Sequence, residues 1–313
     1  MPRLARSLAR HLQLPAQGPR QSFLASTGDQ LAGLLEHWLE ASVEPTWPLG
    51  GQPRPVMVFS GQGPQWWGMG RELLAFPVYR EMIERCDDGL GELLGWSLLE
   101  VLGSGPHDSR LQQTLYAQPA LFALQMGLVA LWRSWGIEPA AVVGHSVGEI
   151  AAACCAHWLT LEQGLQVIAQ RARTMEKASA QGRMAVVRCS LARARELLQG
   201  SDLEIGAVNA PDSLTLSGPA SSLEGFLQQA AGWGLDVRPL DVHYAFHSAL
   251  VEPVREPLLR ALERLQPGTG RLPMVSSVSG SLVETGQLGA DYWWRNVRQT
   301  VLFASAIETV LDM

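Results

Sequence analysis

The sequence predicts an α/β protein with a smaller antiparallel lobe inserted into its main domain. PVMVF at 55–59 and AAVV at 140–143 are short apolar runs, the form taken by buried parallel strands. The first leads into the glycine turn GQG, the second into GHSVG, and helical stretches follow both. Between 183 and 245 the rhythm becomes strand, helix, strand, strand, helix, strand, the split βαβ order of a ferredoxin-like unit. PMVSSVSG at 273–280 then reads as a return to the main sheet.

The individual elements follow in order. MPRLARSLARHLQLP has arginines but no apolar signal-peptide core; Leu4, Leu8 and Leu12 share one helical face, as in a docking helix. GDQLAGLLEHWLEASV reads as a second helix, and the proline- and glycine-rich PTWPLGGQPRP as a linker. Helical patterning covers 71–103, and PALFALQMGLVALWRSWG (119–136) is a strongly apolar helix stopped by glycine. EIAAACCAHWL continues the second glycine turn as helix, and 161–179 is amphipathic. In the lobe, MAVVR, LEIGAVN, SLTLSG and LDVRPLDVH are strands, while SLARARELLQG and SSLEGFLQQAAGWG are helices. DYWWRNVRQTVLFASAIETVLDM ends as helix. The sequence has no run of 18 apolar residues, so no membrane span is expected.

Composition narrows the function. Of 313 residues, 47% are hydrophobic and 17% charged, ample for a large core. The formal charge of −6, with no basic face evident, argues against a nucleic-acid partner. Lys177 is the sole lysine. The four cysteines form no C-x-x-C pair, which indicates neither a zinc knot nor a disulfide framework and suits a reducing cytoplasm.

GHSVG at 144–148 matches G-x-S-x-G with a strand before it and a helix after it, the context that lifts a serine nucleophile above a sheet. Ser146 is that serine, and the N–H of Val147 points toward an incoming carbonyl oxygen. A serine hydroxyl needs a base within reach. His145 is its neighbour in sequence and reads as a structural hydrogen-bonder, because adjacent side chains diverge on such a turn. DVHYAFHSAL (241–250) holds His243 and His247, four apart. On a helix that spacing can present two ligands to one metal; otherwise one histidine is a base and the other a bystander.

Taken together, FSGQGPQWWGMG (59–70), YAQPALFALQ (116–125), GHSVGEIAAA (144–153), QRAR (170–173), YAFHS (244–248) and YWWRNVRQ (292–299) resemble the acyltransferase domain of a type I polyketide synthase, related to malonyl-CoA:acyl-carrier-protein transacylases. The resemblance implies an α/β-hydrolase-like core with an inserted ferredoxin-like subdomain. It divides the chain into a partial ketosynthase–acyltransferase linker (1–54), a C-terminally truncated core (55–182 and 246–313) and the subdomain (183–245). It implies Ser146 as nucleophile and His247 as base, a dyad without metal, with His243 a bystander. A backbone carbonyl near Ser276–Ser277 is expected to orient the imidazole. Arg171 takes the position that grips a malonyl-type carboxylate, with Arg173 a solvated helix charge, and the backbone amide of Gln62 joins Val147 in the oxyanion hole.

The implied reaction moves an acyl group from malonyl-CoA, through acyl-Ser146, to the phosphopantetheine thiol of an acyl carrier protein, in polyketide or fatty acid biosynthesis. It needs no bound cofactor. Phe246 is the malonyl form of its motif position, whereas Tyr244 is the methylmalonyl form; the hybrid favours malonyl. Implied partners are the carrier protein and neighbouring synthase domains such as a ketosynthase, with no nucleic acid and no membrane. Arg295 and Arg298 are candidates for docking the acidic carrier, or for a structural role. Competing readings are a serine hydrolase or esterase, and an inactive truncated docking fragment of a synthase.

Overall fold

The computed structural model describes residues 25, 27–40, 54–178, 182–242 and 244–313. The chain divides into two units, Met1–Pro53 and Arg54–Met313. Within the first, helix α1 (Gly28–Glu40) is described, and it has no buried residue. The expected N-terminal helix with Leu4, Leu8 and Leu12, and the 45–55 linker up to residue 53, lie outside the described residues.

The second unit is mixed α/β. Strand β1 (Val56–Phe59) is followed by a short 3₁₀ turn (Glu72–Ala75) and by α2 (Pro77–Leu94), α3 (Leu98–Gly103) and α4 (Thr114–Ser134). Proline opens α2 where its missing N–H costs nothing, and Gly95 closes it at φ +77°. Ser97 caps α3 by accepting the Glu100 amide at 3.2 Å, and Asp87 accepts that of Leu99 at 3.3 Å. Helix α4 starts five residues before the expected Pro119, so the proline lies inside its N-terminal half. By length and composition α4 could cross a membrane, but most of it is buried within this fold.

Strand β2 (Ala141–Gly144) is buried at every position and leads directly into α5 (Gly148–Cys155); α6 (Leu161–Ala178) follows. β2 is the centre of a three-stranded parallel sheet, paired with β1 from Val56↔Ala141 to Phe59↔Gly144 and with β7 (Met274–Val275) at Val142↔Met274. Being central and covered on both faces, it is uniformly apolar where an exposed strand would alternate. The expected strand at 273–280 is only two residues long; the chain turns immediately after it.

The lobe runs β3 (Gly182–Arg188), α7 (Leu191–Leu197), β4 (Glu204–Ala210), β5 (Ser213–Pro219), α8 (Ala220–Ala230) and β6 (Asp236–Pro239). Its antiparallel sheet has the order β4-β5-β3-β6. Ala185 and Val187 on β3 and Leu214 and Leu216 on β5 alternate inward. They bury against Ala194 of α7 and Leu223 and Phe226 of α8, giving the lobe its own core. A 3₁₀ turn (Ala249–Val254) and α9 (Arg255–Leu262) then lead to β7, α10 (Ala290–Arg298) and α11 (Phe303–Leu311). Between the last two helices the chain runs along the outer edge of β4. Val208 N–H donates to Val301 O at 2.8 Å, Val301 N–H to Gly206 O at 2.9 Å, and Thr300 Oγ1 to Ile205 O at 2.7 Å. An otherwise unpaired sheet edge is thereby satisfied by residues more than 90 positions away.

Candidate active site

The site begins where β2 turns into α5. Ser146 sits at φ +51°, in the left-handed region that costs a side-chain-bearing residue free energy and persists only where its surroundings enforce it. A Cβ on Gly144 would lie 2.3 Å from the Glu149 nitrogen, and one on Gly148 would lie 2.3 Å from Phe59 O and 2.6 Å from Ser60 O. Both are backbone atoms, so no larger residue fits either position. His145 N–H donates to Phe59 O at 2.8 Å, and its ring Nε2 meets Asn209 Oδ1 at 2.8 Å, the structural role expected of it. The amides of Gly148, Glu149 and Ile150 bond to the carbonyls of His145, Ser146 and Val147, whereas no backbone hydrogen bond among the described residues uses the Val147 amide.

Ser146 Oγ lies 2.9 Å from His247 Nε2. His247 is itself at φ +61° in a turn and not on a helix. His243 lies outside the described residues. The partner of His247 Nδ1 is the backbone carbonyl of Gln299, at 2.9 Å. This corrects the expectation of a carbonyl near Ser276–Ser277: the Ser277 amide instead donates to Glu149 Oε1, and Ser276 Oγ pairs with the Tyr292 hydroxyl at 2.7 Å. A carbonyl can only accept, so Nδ1 carries the proton and Nε2 is left to receive the Ser146 hydroxyl. Burial, reinforced by the Arg171 charge and by His145, pushes the imidazole down to about 3, so it is neutral near physiological pH.

Arg171, on α6, is 1% exposed and donates from Nη2 to Ser146 Oγ at 3.1 Å. Among the described residues, its Nε and Nη1 are buried without a partner. Burial pulls the guanidinium down to about 9, opposed by Glu149, which leaves it charged at neutral pH. Arg173 is exposed and donates to Leu93 O.

Gln62 is held by its side chain: Nε2 donates to the Tyr244 hydroxyl at 3.0 Å, and Oε1 accepts from Gln118 at 3.0 Å. The GQG turn lies against the serine turn, since a Cβ on Gly61 would come within 2.8 Å of His145 Nδ1. Tyr244 stacks on Phe246 with centroids 3.9 Å apart and planes 10° from parallel; both rings are buried. Arg298 bonds Glu252 at 2.7 Å and Glu204 at 2.9 Å, and Arg295 lies 3.5 Å from Asp291.

The sequence reading missed a buried network behind the serine. Glu149 is completely enclosed and accepts from the Ser277 amide, the Tyr292 hydroxyl at 2.9 Å and Asn296 Nδ2 at 2.6 Å. Burial raises its carboxyl to about 7 against the opposing effect of those donors. The acidic residue directly after GHSVG and the asparagine inside an aromatic, arginine-rich helix were its visible traces.

A family model described as "Acyl transferase domain" matches residues 56–313. The chain belongs to the acyl transferase domain family. This acyl transferase domain is 43% identical over 267 residues to the spectinabilin polyketide synthase system protein NorC of Streptomyces orinoci, covering 84% of the chain and 12% of that protein. It is 37% identical over 314 residues to the mycoketide-CoA synthase of Mycobacterium tuberculosis, covering 98% of the chain and 7% of that protein. The acyl transferase domain thus spans a small part of the length of these curated relatives.

Among solved structures, it superposes on the acyltransferase domain from module 8 of the salinomycin polyketide synthase with a TM-score of 0.83 at 33% identity, over 99% of this chain and 79% of that one. For the loading acyltransferase of the avermectin modular polyketide synthase the values are 0.77 and 35%, over 82% and 83%. The malonyl CoA-acyl carrier protein transacylase of Clostridium perfringens, at 24% identity and a TM-score of 0.75 over 83% of each chain, shares the fold.

Proposed function

We propose that this chain transfers a malonyl group from CoA to the phosphopantetheine thiol of an acyl carrier protein, within a polyketide synthase. The observation that carries the proposal is Arg171, a charged guanidinium with two partnerless buried nitrogens beside the Ser146 hydroxyl. Leaving buried donors unpaired is costly unless a substrate completes them, and a planar carboxylate is the group that matches a guanidinium. In the reaction, Ser146 Oγ attacks the thioester carbonyl while His247 Nε2 takes its proton. The oxyanion forms facing the amides of Val147 and Gln62, where one such donor is worth about 2.7–4 kcal/mol of transition-state stabilisation. The carbonyl re-forms, CoA leaves as a thiol with the proton from His247, and malonate remains esterified to Ser146. The carrier thiol then gives its proton to His247, attacks the ester, and regenerates the serine.

The same reading assigns residues 55–182 and 246–313 to an α/β-hydrolase-like core and 183–245 to a ferredoxin-like subdomain, supported by the parallel sheet and by the order β4-β5-β3-β6. Malonyl is favoured over methylmalonyl because Phe246 is packed rigidly between the Tyr244 ring and the core. A methyl group is worth only about 1–3 kcal/mol in such a pocket, so that preference is modest. An esterase would use the same serine, but a buried unpaired guanidinium disfavours a neutral acyl chain.

The test is intact-protein mass spectrometry after incubation with malonyl-CoA, methylmalonyl-CoA or acetyl-CoA. A malonyl adduct that disappears in Ser146→Ala is expected. Equal labelling by acetyl-CoA, or an adduct that survives the substitution, would overturn the proposal.

A further inference from the structure

The last turn of α10 touches the backbone on both sides of the Ser146–His247 pair. Asn296, 2% exposed, donates from Nδ2 to Ser146 O at 3.0 Å and to Glu149 Oε2 at 2.6 Å. One residue on, Val297 O accepts the His247 amide at 3.2 Å; two further on, Gln299 O accepts His247 Nδ1–H. Four consecutive residues therefore span from the serine's carbonyl to the histidine's ring.

We infer that Asn296 is a positioning residue that sets the separation of Ser146 and His247, with Glu149 holding its amide in the one useful orientation. Ser146 O can only accept, so a flipped Asn296 would present Oδ1 to it and remove that donor. Ser146 O receives two donors, the Glu149 amide at 3.0 Å and Asn296 Nδ2. That second bond is the tether from outside the turn that holds the serine's strained φ in register with the base. Asn296 and Val297 are adjacent on α10, so the spacing between the serine tether and the His247 amide tether is fixed by helix geometry, and Gln299 follows directly after the helix end. Reacting groups displaced by about 1 Å lose on the order of a hundredfold in rate.

This inference rests on Ser146 being the nucleophile. It is tested on the 313-residue chain by single-turnover malonylation, by steady-state transfer, and by labelling with a fluorophosphonate, which reads Ser146 reactivity without any acyl preference. In Asn296→Ala the expected result is a loss of about 10–100-fold in kcat and in fluorophosphonate labelling, with KM changed less than about twofold. Asn296→Asp places a carboxyl against the Glu149 carboxylate, with Tyr292, His247, Arg171 and Arg295 the other titratable groups around it. An aspartate donates only when protonated, so its labelling rate should rise as pH is lowered, where the parent's does not. Adding Glu149→Gln gives that aspartate a donor, while Ser146 O keeps the residue-149 amide but still lacks the second donor that tethered it. The double variant should therefore regain thermal stability but not rate.

A folded Asn296→Ala that labels within about threefold of the parent would overturn the inference. So would a rate that recovers together with stability in the double variant, because a purely structural role predicts that outcome. A parent that reacts with fluorophosphonate but never with malonyl-CoA would defeat the proposed function and leave the Asn296 measurement standing.

Discussion

Replacing Arg171 with alanine removes a buried charge and three nitrogens, of which Nη2 is engaged with Ser146 Oγ and Nε and Nη1 have no partner. If a malonyl carboxylate forks onto one open nitrogen and the second hydrogen of Nη2, the substitution deletes two charge-assisted hydrogen bonds of about 1.5–3 kcal/mol each. The combined loss of about 3–6 kcal/mol corresponds to roughly two to four orders of magnitude in kcat/KM for malonyl-CoA. Acetyl-CoA has no carboxylate to lose and gains a less polar pocket, so its rate should hold or rise, reversing the preference. The same change should move the acid limb of the pH profile upward, because the Arg171 charge is one of the causes that hold His247 down. CoA release followed by stopped flow, with each thioester in turn, measures both effects. An Arg171→Ala enzyme that accepts malonyl-CoA within about threefold of the parent would refute the carboxylate-binding argument.

Other consequences are equally open to measurement. The unfolded chain binds a histidine proton near 6.5 and the folded site only at about 3, so stability from His247 falls as pH drops from 6.5 toward 3 and is constant above that window. In parent activity, the matching expectation is a kcat/KM for acylation whose acid limb lies well below 6.5. Glu149 works in the opposite sense. Its carboxyl is raised from 4.5 to about 7, so the fold retains a proton the unfolded chain has lost, and that contribution declines as pH rises through this range. Urea melts of Glu149→Gln across the range should lose that decline. Gly148→Ala forces a methyl onto Phe59 O and Ser60 O and should cost about 1–3 kcal/mol in thermal melts while abolishing Ser146 labelling. Arg298→Met deletes two ion pairs whose arginine side chain is 25% exposed. After screening they are worth about 0.4–2 kcal/mol together, so melting should fall by a few degrees, and less in high salt.

The parts of the site visible in the sequence were those where chemistry demands a residue type at a fixed local spacing. Gly144 and Gly148 had to be glycine because backbone atoms crowd the turn, and the serine proposed as nucleophile stands between them. The strands and helices of 182–239 followed from their periodicities, and the four strands pair in one sheet. The Gln299 carbonyl was misassigned because a main-chain acceptor leaves no signature: any residue there offers the same oxygen. The Glu149, Tyr292 and Asn296 network was invisible for a different reason. Its members are separated by up to 147 positions, and burying a carboxylate beside an amide and a phenol becomes sensible only once the partners are known to meet. Helix α4 begins early because a proline in the first part of a helix sacrifices only one internal bond, which strong apolar packing of the remaining turns outweighs.

The strip of chain that seals the β4 edge has a practical bearing on chimeric enzymes. The carbonyl of Gln299 is held one residue before Thr300 and Val301 dock on Ile205, Gly206 and Val208. A graft that exchanges 183–245 between two homologues replaces the rail on which that strip rides but keeps the strip itself. Because that rail presents main-chain atoms alone, grafts that keep the register of β4 should retain turnover, whereas those that slip it by one residue should not.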